Sequence, residues 1–165
     1  MNNSSAFFLT MVELKQFQEM AFYDLLLSAE CCSQPEVIRT GAYWLNHICI
    51  VDNIFRANLL GERHNYQSTE SDDVPALPSL RQSAADNNEW LMDYAGSLTA
   101  NKQEERVEFI FTDGARGNMT RAEILLHLLT HSQNHLSWIA SVMAGAGLPT
   151  PPMLLTTLLG RQHKA

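Results

Sequence analysis

The apolar positions of the chain fall into four segments with a helical period. In the first, from about Ser5 to Cys32, Leu14, Phe17, Ala21 and Leu25 recur at steps of three and four. That spacing predicts one buried stripe. The second runs from about Pro35 to Leu60 and stops at Gly61. Its opening, Ser33-Gln34-Pro35-Glu36, reads as a capping box, with Ser33 as cap and Glu36 reaching back. The third opens on another box, Ser79-Leu80-Arg81-Gln82, and runs to about Leu98. The fourth opens on Thr120-Arg121-Ala122-Glu123 and ends near Gly145 or Gly147.

The connections differ in kind. "ERHNYQSTESDDVPALP" is polar and proline-bounded, so it predicts a long surface loop. Before the fourth helix, Val107, Phe109 and Phe111 alternate imperfectly with Glu108, Ile110 and Thr112, and Asp113-Gly114 is a turn signal. A short β-hairpin fits there. The tail "LPTPPMLLTTLLG" predicts a crossing of the bundle end with a short helix. There is no internal repeat and no low-complexity segment. The expected fold is an all-α four-helix bundle over residues 1–165 as a single domain, and the long connections fit an up-down-down-up order.

Composition changes this picture little. The chain has 165 residues, 45% apolar and 18% charged, enough for a core without staples. The net charge of −7 offers no basic surplus to displace counterions, so no nucleic-acid partner is expected. No apolar run reaches the length of a membrane helix. The N-terminus lacks a basic region and makes a poor signal peptide. The three cysteines, with Cys31 and Cys32 adjacent, make a poor disulfide framework, so a reducing cytoplasm is expected.

The candidate chemistry lies in "TRAEILLHLLTHSQNHLSWIASVM", where His127, His131 and His135 recur every four residues. Each step of four advances ~6 Å along the axis and nearly superposes the side chains. One such pair can chelate an ion, whereas the outer two of three stand roughly 12 Å apart along the axis. His131 and His135 share a stripe with Ile124, Leu128, Trp138 and Val142. His127 shares one with Glu123, Thr130, Asn134 and Ser141. The first stripe is the more apolar, so His131 and His135 are expected to face inward, with His127 at the margin as a surface or supporting residue.

A third ligand is then needed. His64 sits in the polar loop and His163 in the tail. His47 lies mid-helix on a stripe with Trp44, Val51, Ile54 and Asn58, which also points inward. Three neutral imidazoles from two facing helices, with an open position, form the pattern of a catalytic divalent-metal site. The competing reading makes each ring a hydrogen-bonded core residue. Ser132 stands where a HExxH protease keeps its glutamate base, and neither His47 nor His131 has a glutamate three residues before it. No phosphate loop and no GxSxG elbow occurs.

Other residues carry weaker expectations. Trp44 and Trp138 can wall a pocket, and a core role is the preferred reading. Asn46 can orient ligands, as can Asp52, which reads equally as a solvated helix residue. Tyr23 and Tyr43 read as half-buried packing. Cys31 and Cys32 have no basic neighbour to lower a thiol pKa. Arg116 and Arg121 read as surface charge.

The blocks "LNHICIVDNIFRANLLGE" and "ILLHLLTHSQNHLSWIASVMAGAGLP" resemble the second-helix block and the histidine-rich later helix of the DinB/YfiT-like superfamily of metal-dependent four-helix-bundle proteins. The resemblance runs over most of the chain. It implies His47 as the second-helix ligand and His131 and His135 as the later pair. Many members follow the last histidine with Arg-Gly-Gln; here Leu136, Ser137 and Trp138 follow, which puts any substrate role of the Arg or Gln in question. The resemblance further implies a small-molecule substrate, a low-molecular-weight thiol as co-substrate, thiol S-transferase chemistry and a homodimer. Three imidazoles suit Zn, Ni, Fe or Cu, with Zn or Ni foremost. Two alternatives stand beside this: a non-enzymatic, partner-binding bundle with a structural metal or none, and a metal-dependent hydrolase.

Overall fold

A computed structural model describes residues 3–28 and 30–162; His163 lies outside them. Four long helices, α1 (Asn3–Leu26), α2 (Pro35–Leu60), α3 (Leu77–Ser97) and α5 (Arg121–Gly145), form the bundle. Between the last two come a short helix α4 (Ala100–Glu104) and an antiparallel hairpin of β1 (Arg106–Ile110) and β2 (Arg116–Thr120). A last helix, α6, spans Leu155–Gln162. The sequence pattern missed α4, whose single turn is too short to show a period, and ran the first helix on to Cys32, past the end of α1 at Leu26.

Contacts between helices fix their directions. Leu26 packs on Gly41 and Lys15 meets Asp52, so α2 descends if α1 ascends. Asp24 pairs with Arg81 and Lys15 with Asn88, so α3 also descends. His131 meets His47, and Arg121 reaches the Leu59 carbonyl, so α5 ascends. The order is up-down-down-up, as expected.

The helix ends show which local signals won. Thr120 accepts from the Glu123 amide and Glu123 accepts from the Thr120 amide, so this capping box forms. The other two do not. Gln34 caps α2 without a side-chain bond, and Pro35 supplies the first turn. Ala76 caps α3, with Leu77-Pro78 leading, so Ser79 already lies inside the helix. In both places a proline, preorganised for the first turn, starts the helix where its fixed φ suits and displaces the serine from the cap. Gly61 ends α2 at φ 71°, with its own amide and that of Glu62 closing on Asn58 and Ala57.

The predicted stripe on α1 is shifted. Leu14 is buried, but Phe17, Ala21 and Leu25 are only half-buried. The deepest line is Phe8, Val12, Lys15, Glu19, Phe22 and Leu26. It also runs at steps of three and four, yet two of its members are charged. A stripe traced through apolar residues alone cannot pass through them.

Lys15 and Glu19 belong to a polar layer that separates two apolar clusters. One cluster, beside the hairpin, gathers Val12, Phe55, Ala95, Ile124 and Leu125. The other gathers Phe22, Leu26, Leu45, Leu136 and Met143. Each fully buried Leu, Ile or Phe contributes about 1.5–3 kcal/mol. Within the layer, Lys15 Nζ donates to Asp52 Oδ2 at 2.8 Å and to Asn88 Oδ1 at 3.0 Å, and pairs with Glu19 Oε1 at 2.7 Å. Asn88 Nδ2 donates to Glu19 Oε2 at 2.7 Å, and Ser132 Oγ donates to Glu19 Oε1 at 2.7 Å. One residue or more from each long helix takes part. Asp52 is therefore neither a solvated residue nor a support for a histidine: it is buried and paired with Lys15. Tyr23 is fully buried rather than half-buried, its hydroxyl pKa raised by burial beside Glu19.

Burial opposes the Lys15 ammonium, but Asp52 and Glu19 outweigh it and raise its pKa. Burial pushes Asp52 up to about 6 against the pull of Lys15, with the Glu19 charge adding to the rise. One ammonium serves two carboxylates. Lys15 gains from both, while each carboxylate also feels the other.

Candidate metal centre

The antiparallel packing of α2 on α5 brings His47 opposite His131 and His135, which lie one turn apart. One nitrogen from each ring lies within 4.8 Å of the other two. His47 Nε2 and His131 Nε2 are 2.9 Å apart. The ring centroids are separated by 4.9 Å (His47 and His131), 4.7 Å (His47 and His135) and 4.5 Å (His131 and His135).

The histidines do not occupy the centre of the α5 core face. That centre is Leu125, Leu128, Ser132, Leu136, Ile139 and Met143. The His131–His135 line lies about a quarter turn around the helix from it, against α2. This offset leaves both rings half-buried, and it explains Trp138. Predicted as core, Trp138 is 55% exposed, because its position lies further still around the helix. It packs on Trp44 at 5.2 Å. Trp44 in turn stacks on His135 at 4.7 Å and 16°, and meets His47 edge-on at 5.6 Å. The rim of the cluster is thus aromatic and reaches solvent.

The hydrogen bonds around the rings are unequal. His47 Nδ1 lies 2.8 Å from the Thr69 carbonyl oxygen. A carbonyl only accepts, so Nδ1 carries the proton and Nε2 presents a lone pair to the cluster. The anchor comes from the long 61–76 loop, which carried no sequence signal for it. Asn46 is buried but makes no described bond to a ring. His131 Nδ1 and His135 Nδ1 are buried without partners. A bundle that used these rings only as core residues would leave both nitrogens unmet, at a cost of about 1–3 kcal/mol each.

Electrostatics keeps the His131 and His135 rings neutral. Burial, with the nearby His135, His47, His127 and Lys15, lowers His131 to about 3. Burial and then His47 lower His135. Neutral imidazoles are the metal-binding form. Ligand nitrogens ~2.0–2.1 Å from a tetrahedral ion stand roughly 3.3–3.4 Å apart. The observed cluster fits one ion after small ring rotations.

The other candidates fall outside this cluster. His127 lies at its margin, its ring 5.5 Å from His131 and 5.0 Å from Phe55, with its pKa lowered by burial. His64 packs near Tyr66 in the loop. Cys31 is buried in the α1–α2 turn, where burial pushes its thiol up, and Cys32 is exposed. Arg116 is exposed on β2, as expected. Arg121 is a clamp rather than surface charge: it donates to the Leu59 carbonyl at 2.9 Å, the Tyr94 hydroxyl at 2.7 Å and Glu105 at 3.0 Å. A cavity of about 760 Å³ lies between the start of α2 and residues 72–77 and includes none of the histidines.

An up-down-down-up bundle with three imidazoles between two facing helices defines a class, the helical bundle with a candidate metal centre between its helices. The particular family follows from the sequence. The DinB family model matches residues 26–162, most of the chain, and the chain belongs to the DinB family. No curated protein and no solved structure is significantly similar to it. Among the described residues, no helix is long and apolar enough to cross a membrane.

Proposed function

We propose that the protein binds one divalent metal ion through His47, His131 and His135 and acts as a metal-dependent enzyme on a small molecule, in the class of thiol S-transferases. The observation that carries the metal reading is the convergence of one ring nitrogen from each of three histidines, within 4.8 Å of one another. When bound by three imidazoles, a divalent ion keeps a position open and acidifies a thiol or water placed there.

The chain's own residues do the rest. Thr69 holds the His47 tautomer, so that Nε2 keeps its lone pair. Trp44 fixes the plane of His135 by stacking. Trp44 and Trp138 form an apolar wall that shields one side from water and suits the carbon part of an acceptor. Ser132, in the place of a protease base, gives its hydroxyl proton to the hydrogen bond with Glu19 and faces the polar layer. No carboxylate joins the cluster as a general base. Support therefore favours a nucleophile that needs only a lowered pKa, as a thiol does, over peptide hydrolysis.

Metal analysis of purified protein tests the site, with His47→Ala and His131→Ala beside wild type. Stoichiometric metal in wild type, lost in both variants, is expected. Metal retained by both ends the proposal. A conjugation screen of small electrophiles with low-molecular-weight thiols tests the chemistry, and turnover that ignores metal removal counts against it.

A further inference from the structure

The 61–76 segment also encloses a second cavity, of about 470 Å³, against α2 and the start of α3. Its floor is Asn46, Cys49, Ile50 and Asn53, one helical face at steps of three and four. Leu80 and Ser83 close one side, and the loop closes the other. The volume falls in the range of small-molecule sites, about 300–1,000 Å³.

The lining is rich in amides and hydroxyls, among them Asn46, Asn53, Asn65, Gln67, Ser68 and Ser83. Glu70 and Asp73 add two carboxylates, and no lysine or arginine lines the cavity. Its neighbours are largely satisfied within the protein. Asn53 donates to the Tyr66 hydroxyl at 3.2 Å, and Asn87 donates to Cys49 Sγ at 3.6 Å. Asn46 differs: it is 5% exposed, it lines the cavity, and no described residue hydrogen-bonds its side chain. A buried amide is ordinarily paired. Here the amide lines the cavity with no described partner. Burial, with the Asp52 and Glu19 charges, pushes the Cys49 thiol up to about 12, which makes the floor protonated and unreactive.

We propose that this cavity binds a small organic cation, an amine that also carries hydrogen-bonding groups. The carboxylates attract the ammonium, and the Asn46 amide and the loop hydroxyls take its polar substituents. With no basic residue in the lining, phosphates and carboxylates are repelled. The site is separate from the histidine cluster, because Asn46 faces α3 and the loop while His47 faces α5, and it does not rest on the metal reading.

The test is a ¹H–¹⁵N NMR titration of the full chain near physiological ionic strength, reading the side-chain amide signals of Asn46 and Asn53. The probes are 1,3-diamino-2-propanol, its neutral counterpart glycerol, and malonate. The diamine is expected to give saturable shifts in the millimolar range, about tenfold tighter than glycerol, and malonate none. Asn46→Leu is expected to remove saturation. Glu70→Gln, at an exposed carboxylate that also accepts from the Tyr43 hydroxyl, is expected to weaken the diamine several-fold. His131→Ala is expected to leave the titration unchanged. Non-saturating shifts spread over the acidic surface overturn the proposal. So do equal affinities for diamine and glycerol, wild-type binding in both cavity variants, or loss of binding in His131→Ala.

Discussion

Two buried polar groups sit at neighbouring levels of this bundle, and they are built on opposite rules. The layer of Lys15, Glu19, Asp52, Asn88 and Ser132 joins all four long helices and nearly closes on itself: its side-chain donor atoms all meet acceptors, and of its acceptors only Asp52 Oδ1 is buried without a partner. The histidine cluster joins two helices and does not close, since two of its nitrogens lack partners and one nitrogen of each ring lies near a common point. The difference separates scaffold from site. A polar group completed by its neighbours adds order; one that its neighbours leave incomplete is shaped for something the chain does not contain.

Several variants put pressure on that distinction. The largest effect is expected from the layer. Lys15→Met leaves two buried carboxylates uncompensated and should cost about 3–5 kcal/mol, read from the denaturant midpoint. A shift under 1 kcal/mol would show that the layer is not the scaffold described. The cluster should answer to metal instead. Added ion at about 100 times its Kd should stabilise wild type by about 2.7 kcal/mol and His131→Ala by nothing, in thermal melts with and without chelator. Ser132→Ala, which removes a hydrogen bond to the Glu19 carboxylate, should cost about 1.5–3 kcal/mol. Because it touches only the layer, metal stoichiometry should stay intact; loss of metal in this variant would merge the two regions into one.

Acid should act on the regions with opposite signs. His131 has its folded pKa depressed to about 3 from an ordinary 6.5. Its contribution in metal-free protein is present above pH 6.5 and is lost as pH falls toward 3. Asp52 has its folded pKa raised to about 6 from 3.8, so its contribution is present below 3.8 and is lost as pH rises through 6. Metal-free His131→Ala should therefore lose less stability than wild type between pH 6.5 and 3, in urea melts across that range. An unchanged pH profile would remove His131 as the source of the slope.

Much of this was legible from spacing. Four helical periods, the hairpin, the Gly61 stop and the Thr120 box all correspond to local signals strong enough to survive tertiary contact. Stripe spacing alone places His47, His131 and His135 on inward faces, and the three rings do converge. What escaped it depends on partners distant in sequence. Lys15 and Glu19 fall outside a stripe traced through apolar residues, and their compensation comes from Asp52, Asn88 and Ser132 on other helices. Trp138 reads as core because hydrophobicity alone does not say which side of a stripe meets a neighbour. Thr69 acts through a carbonyl, which every residue carries, so no residue type announces it. The prolines at positions 35 and 78 outcompeted serines that looked like caps, a contest between two local rules that only geometry decides.

The wide spacing of the cluster along the chain has a kinetic consequence. His47 and His131 are separated by 84 positions, and Glu19 and Ser132 by 113. Contacts this distant make loop closure costly and set a slow step in folding. During synthesis His47 on α2 is made 84 positions before His131 on α5, so a growing chain holds one imidazole of the set before the other two exist. The His131–His135 pair, one turn apart, follows together. The three rings share one place only once α5 has packed on α2.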